Sequence, residues 1–347
     1  MKILIVTKNW LGDILFEIPA LEAVRAHFPA AEIVCAAPSR CCEILEAHPA
    51  VSRVLIFDER LEHRSLKSRF EFVRLLRREK FSRAYLFHRS RTRAFLVWLA
   101  GIRERIGFAS KSRWFLTQAV PEPQGKIHQA DYFMELVRGS GIPAPEHPPY
   151  HFYFSAEEDR KASSRLEAAR LKNFVCFHLG ANWEPKRWPV EHFAKLAELL
   201  FEKWKMPVVL TGGTGDKALA DQVLKLAGES RILSFAGETS LGELGAIFKR
   251  ALFVVSGDSG PMHIASGVGT PVAALFGPTD PDLTGPRGSG EKIILSFVPA
   301  GHEVPWYGAM PEEGWLSRLL PEKVLAALEK KNWAGRALAS AQAGVSR

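Results

Sequence analysis

Across 347 residues the chain has few cysteines, no long apolar run and neither of the common glycine signatures for binding nucleotides. Its four cysteines, Cys35, Cys41, Cys42 and Cys176, show no C-x-x-C spacing, and in a chain this long they do not form a disulfide framework. The longest uncharged apolar stretch, Ala94 to Ile102, has nine residues, against the roughly 20 a membrane-spanning helix needs. At the start, the apolar Ile3 to Val6 gives way at once to Thr7, Lys8 and Asn9, which is too short for a secretory signal, so a cytoplasmic location is expected. No G-x-x-x-x-G-K-[ST] and no G-x-G-x-x-G after the first strand are present, which argues against a P-loop NTPase and an ordinary dinucleotide dehydrogenase. What is present is the composition of a folded protein, 47% hydrophobic and 24% charged. The net charge of +8 is regional, because residues 60–113 hold 16 Lys and Arg against four Glu and no Asp. Such an excess suits nucleic acid, a phosphorylated glycan or an acidic membrane surface, and it equally suits solvated helix faces.

Short β-rich runs alternate with segments of helical period. Lys2 to Thr7, Glu32 to Ala36, Arg53 to Phe57 and Arg83 to Phe87 read as strands, and Ile18, Leu21, Val24 and Arg25 to Phe28 mark a crossover helix between the first two. Runs apolar on both faces are what buried parallel sheets use. Pro143, Pro145, Pro148 and Pro149 break the pattern and predict a linker. After a helical segment from Ala156 to Ala169, a second series reads as strands at Phe174 to Leu179, Pro207 to Leu210, Ala251 to Ser256 and Pro271 to Phe276, each followed closely by glycine. Strand, glycine turn and helix in repetition predict two doubly wound α/β domains, 1–155 and 156–333, which bind ligands beyond the carboxyl ends of their strands. The last helix is Pro321 to Lys330, and the Ala/Gly/Ser-rich segment 334–347 is expected to be disordered.

Three strand exits carry the chemistry. Asn9-Trp10-Leu11-Gly12-Asp13 follows the first strand, and Asp13 there can complement the helix dipole or deprotonate a hydroxyl held against it. Ser256-Gly257-Asp258-Ser259-Gly260-Pro261-Met262-His263 joins a buried strand to a helix with Pro261 near its start. Small residues let a ligand approach, and free N–H groups at such a helix start favour a diphosphate, although a structural turn has the same form. A carboxylate beside phosphate needs a sugar hydroxyl or a cation, and for Asp258 the hydroxyl is the expected partner. The third exit, His178-Leu179-Gly180-Ala181-Asn182-Trp183-Glu184-Pro185-Lys186-Arg187-Trp188-Pro189, offers a phosphate clamp at Lys186 or a surface loop anchored by tryptophan. Gly212 and Gly213, in Thr211-Gly212-Gly213-Thr214-Gly215-Asp216, form a further glycine-rich exit.

Taken in order with Arg105-Ile106-Gly107-Phe108 and Phe276-Gly277-Pro278-Thr279-Asp280-Pro281, these motifs resemble the bacterial ADP-heptose:lipopolysaccharide heptosyltransferases, glycosyltransferase family 9, over about residues 1–330. The resemblance implies a GT-B architecture of two facing Rossmann-like domains with a cleft, acceptor on the first and nucleotide-sugar on the second. It also implies inverting transfer with no metal and no cofactor beyond ADP-heptose as donor substrate. Asp13 matches the family's proposed base, Lys186 the lysine facing the donor phosphates, and Asp258 to His263 the loop holding donor sugar and diphosphate. Gly180, Gly212 and Gly213 join the donor set. Gly12, Arg89, Arg91, Arg93, Arg105, Lys111 and Arg113 are the acceptor candidates, the cations meeting carboxylates and phosphates of a Kdo-lipid A inner core. A lipid-linked acceptor makes peripheral contact with the inner face of the inner membrane reasonable, and no nucleic-acid partner is expected. Two features depart from the family: Gly301 to Arg318 lacks the cysteines often found there, and residues 60–113 are unusually basic. The alternatives are a GT-B glycosyltransferase with another nucleotide-sugar, a nucleotide-sugar epimerase, or a noncatalytic nucleic-acid-binding protein using the basic region.

Overall fold

The computed structural model describes residues 1–59, 61–228, 231–304, 314–333 and 335. The chain divides into two units, Met1–Tyr153 and Phe154–Arg347. The expected tail, 334–347, falls outside the described residues apart from Gly335.

The first unit runs β1 (Lys2–Val6), α1 (Leu11–His27), β2 (Glu32–Ala37), α2 (Cys42–Glu46), β3 (Arg53–Ile56), α3 (Leu66–Glu79), β4 (Arg83–Leu86), α4 (Arg91–Leu99), β5 (Glu104–Phe108), β6 (Gln118–Val120) and α5 (Gln129–Gly139). Its six strands are all parallel, in the order β3-β2-β1-β4-β5-β6, with Val6 opposite Ala36 on one side and Leu86 on the other. β1, β2 and β4 are buried on both faces, as their unbroken apolar runs require. α1 packs on α5 and buries an almost continuous Ile14–Leu21; Pro19 inside it lacks one amide donor, and the helix still runs through. Ser65 and Ser90 cap α3 and α4 by accepting from the amides three residues on.

The second unit runs α6 (Ala156–Ala168), β7 (Val175–His178), α7 (Val190–Trp204), β8 (Val208–Thr211), α8 (Lys217–Leu226), β9 (Ile232–Ser234), α9 (Leu241–Arg250), β10 (Val254–Gly257), α10 (Gly260–Gly267), β11 (Val272–Phe276), α11 (Pro281–Thr284), β12 (Lys292–Ser296) and α12 (Pro321–Lys331). Its sheet, β12-β11-β10-β7-β8-β9, is also wholly parallel, with Val254 opposite Cys176 and Val272. α6 begins with a capping box in which Ser155 and Glu158 satisfy each other's amides.

Within each unit the strands taken from first to last lie in the order 3-2-1-4-5-6, the doubly wound arrangement. The chain direction across the sheet reverses between β1 and β4 in one unit and between β7 and β10 in the other. Helices leave to opposite faces on either side of those pairs, which opens a crevice at the carboxyl edge. The eight strands read from the sequence are all present. β5, β6, β9 and β12 were not read as strands; β6 and β9 have only three residues each, and β12 alternates exposed and covered positions at a sheet edge.

All four cysteines are buried and unbridged. Burial pushes the Cys41 thiol up to about 12 and Cys42 to about 11, and raises Cys35 and Cys176 further. Among the described residues no helix is long and apolar enough to cross a membrane.

Candidate active site

In the first unit the crevice edge is built by the segment from Thr7 to Trp10, which carries β1 into α1. Gly12 and Asp13 lie in the first turn of α1, where the carboxylate complements the helix dipole while half exposed. The segment is held from four sides. Arg93, 1% exposed, donates Nη1 to the Thr7 carbonyl at 2.6 Å and Nη2 to Asn9 Oδ1 at 2.6 Å. Its Nε reaches Glu59 at 3.2 Å, and its guanidinium lies over the Phe57 ring. Arg40 donates to the Asn9 carbonyl at 2.9 Å while pairing with Asp58. The Asn9 amide meets His88 Nε2 at 3.3 Å, and Glu17 Oε1 accepts the Lys8 amide at 2.7 Å. Glu17 stands one helical turn beyond Asp13; burial first, then the Asp13 charge, holds its carboxyl well above the usual range.

The basic candidates separate by position. Arg89 follows β4 at the same edge, exposed and paired with Glu122 at 2.8 Å, and Arg91 opens α4 beside it, also exposed. Lys111 and Arg113 are exposed in the connection after β5. Two candidates need correction. Arg93 is enclosed with its donors committed to the protein, so it positions the β1–α1 segment and does not meet an acceptor. Arg105 lies near the amino end of β5, and its guanidinium is spent on the carbonyls of Phe115, Ile102 and Arg103, away from the carboxyl edge. The three residues that hold the segment beside Arg93, namely Glu17, Arg40 and His88, were not read from sequence as functional.

In the second unit, the exits of β7 and β10 meet. A Cβ on Gly257 would lie 2.5 Å from the Lys186 carbonyl oxygen, so only glycine lets the turn Glu184–Lys186 sit against the end of β10. That contact brings Lys186 Nζ to 2.6 Å from Asp258 Oδ2, with the two side chains 12% and 6% exposed. Thr284 Oγ1 donates to the same oxygen at 3.4 Å. Asp258 therefore has within the protein the cation that a carboxylate beside phosphate can use as partner. Ser259 precedes α10 in extended backbone without capping it by side chain, and its hydroxyl meets Ser256 Oγ at 3.1 Å. Gly260 and Pro261 then form the half-exposed first turn, and the Met262 and His263 side chains are buried, so those two residues present main chain to the edge.

The glycines at the other exits have a local cause. A Cβ on Gly180 would meet the Asp216 carboxylate at 2.2 Å and one on Gly212 would meet Asp216 Cβ at 2.7 Å, while the Gly213 amide donates to Asp216 at 2.8 Å. Gly180 and Gly212 thus make room for Asp216, whereas a Cβ on Gly213 would meet it only at an ordinary contact distance of 3.6 Å. Trp188 is buried and donates Nε1 to the Leu319 carbonyl at 2.8 Å, and Arg187 donates to Ala181, so this loop is anchored by tryptophan and leaves Lys186 aimed at Asp258. His178 closes β7 with Nδ1 3.2 Å from Thr211 Oγ1, and burial lowers it to about 4, hence neutral at pH 7. Among the described residues no group of three or more His, Cys, Asp or Glu is arranged around a metal position.

Residues 69–305 match the model of glycosyltransferase family 9 (heptosyltransferase). The chain belongs to that family. It is 30% identical to lipooligosaccharide heptosyltransferase 2 of Haemophilus ducreyi, over 87% of this chain and 90% of the relative. Its fold is similar to the family 9 glycosyl transferase of Veillonella parvula, with a TM-score of 0.83, 23% identity and 95% and 96% of the two chains covered. It is also similar to the Escherichia coli ADP-heptose lps heptosyltransferase II, with a TM-score of 0.79, 24% identity and 97% and 99% covered. This family 9 chain is thus a glycosyltransferase of GT-B fold, and the noncatalytic alternative is set aside. In family terms, the Leu-Gly-Asp motif falls at the β1/β4 crevice, and the Lys-Arg-Trp-Pro and Asp-Ser-Gly-Pro-Met-His motifs converge at the β7/β10 crevice.

Proposed function

We propose that this enzyme transfers heptose from ADP-heptose to the acidic inner core of lipopolysaccharide, with inversion and without a resident metal. Asp13 takes the proton of an acceptor hydroxyl as that oxygen attacks the anomeric carbon. The new glycosidic bond forms while the bond from that carbon to the diphosphate oxygen breaks, and ADP leaves with the electron pair. Charge growing on the leaving oxygen is met by the Lys186 ammonium and the Ser259, Gly260 and Met262 amides at the start of α10, groups fixed before the reaction begins. Asp258 holds the lysine in place and keeps an oxygen available for a donor hydroxyl. On the acceptor side, Gly12 lets the substrate approach the α1 turn, and Arg89, Arg91, Lys111 and Arg113 face carboxylates and phosphates of the Kdo-lipid A core. A lipid-linked acceptor places the enzyme in the cytoplasm at the inner face of the inner membrane.

The observation that carries this reading is the convergence at the β7/β10 crevice. One glycine admits the lysine-bearing turn, one buried carboxylate orients the lysine, and a helix start stands beside both. Asp13→Asn tests the chemistry. The variant is expected to lose about 10² to 10⁴-fold in turnover while binding ADP as the wild type does by calorimetry. Turnover close to wild type would remove Asp13 from the mechanism, and a panel of nucleotide-sugars assayed alongside would show whether heptose is the group transferred.

A further inference from the structure

We propose that the outer face of α4, with the turn Arg113–Phe115 beside it and α3 alongside, is a docking surface for an anionic lipid bilayer. The inference concerns the first unit alone and goes beyond the reaction, giving the membrane contact a location. Arg91, Phe95 and Trp98 are spaced four and three residues apart, so they form one stripe along α4. Phe95 and Trp98 are 39% and 46% exposed, and Trp114 is 87% exposed. The Phe95 and Trp98 rings stack at 5.7 Å, and Phe115 packs against them at 5.4 and 5.8 Å. Single exposed apolar residues are ordinary, whereas a contiguous aromatic cluster marks an interaction surface.

The surroundings say which partner. Arg103 is exposed on this face, Arg91, Lys111 and Arg113 stand exposed where it meets the acceptor edge, and none of the four forms an ion pair among the described residues. Arg77 donates Nε and Nη2 to the Leu99 carbonyl at 3.2 and 2.8 Å, which fastens the end of α3 to the end of α4. α3 adds exposed Leu66 and Phe70 with Lys67, Arg74 and Arg78. Of the four glutamates in 60–113, Glu79 is engaged by Lys2 and Arg53 and Glu104 by Arg83, while Glu62 and Glu71 are exposed and form no ion pair among the described residues. A ligand recognised through its phosphates alone needs cations and gives aromatic rings nothing to pack on. Aromatic rings at headgroup depth among unpaired cations suit an anionic bilayer. Arg91 also follows His88, the residue bonded to Asn9, so the face borders the edge that carries Asp13.

Sedimentation of the full chain with vesicles tests this without any turnover. Binding to phosphatidylglycerol/phosphatidylethanolamine vesicles is expected to exceed binding to phosphatidylcholine by at least about tenfold and to fall with added salt, each cation contributing about fivefold. Trp98→Ser with Trp114→Ser should lower partition at least about tenfold and leave turnover on a delipidated acceptor unchanged. Arg74→Glu with Arg103→Glu should weaken binding to the anionic vesicles only, which keeps the test open if the tryptophan variant folds poorly. Equal partition of wild type and both variants, or no preference for anionic lipid, would overturn the proposal. So would loss of soluble-saccharide binding in the tryptophan variant with vesicle binding intact, which would assign the face to the sugar. Absence of heptose transfer in the wild type would count against the proposed function and leave the vesicle result standing.

Discussion

At the residue scale, His178 and the Lys186–Asp258 pair show how burial decides what a group can do. The ion pair is mostly enclosed, so its attraction is little screened, and removing one partner strands the other. In the proposed reaction the donor diphosphate shares the ammonium. His178 is enclosed without a charged partner in hydrogen-bond contact, and burial holds it at about 4 against an ordinary 6.5. Between those values an unfolded chain binds a proton that the native chain refuses, so stability is full above about pH 6.5 and is lost as pH falls toward 4. The loss due to this ring amounts to at most about 3 kcal/mol. Urea denaturation at pH 7 and pH 4.5, followed by tryptophan fluorescence, should show a smaller acid loss in His178→Gln than in the wild type. Equal losses would mean that the ring is hydrated in the native state.

At the scale of elements, the decisive joint is Gly257 against the turn Glu184–Lys186. Gly257→Ala drives a methyl group into the Lys186 carbonyl at 2.5 Å, and neither main chain can yield without moving the lysine. The expected outcome is at least about a tenfold rise in donor KM, with a loss of stability of about 1 to 3 kcal/mol, measured by steady-state kinetics and chemical denaturation. Unchanged KM would show that the turn tolerates displacement. Sequence reading located this joint only in part. The strands, the crossover helices and the three strand exits were visible because apolar runs and glycine turns are local signals. That Gly257 faces Lys186 was not, since the two are 71 positions apart and meet only when β10 pairs with β7. The same holds for Arg93, whose partner Thr7 is 86 positions away. A string of cations from Arg89 to Arg113 looked uniform, and only the fold separates the exposed ones from those that bind the protein's own carbonyls. The short edge strands β6 and β9 were missed because three residues carry no period.

At the scale of the whole molecule, two sheets of the same strand order place one crevice in each unit, and the proposed division of labour gives them different ligands. Hydrogen exchange with and without ADP should therefore protect amides in 183–187 and 257–263 and leave those of 8–17 unchanged. Protection confined to 8–17 would reverse the assignment of donor and acceptor. The buried thiols have a practical consequence on this scale. With Cys41 and Cys42 pushed to about 12 and 11 and the other two higher still, almost no thiolate exists at neutral pH to meet an alkylating reagent. A cysteine introduced on the solvent side of either unit will outcompete all four native ones for a maleimide dye. Distance measurements between labelled pairs can then follow the two units through turnover, with every native sulfur left in place.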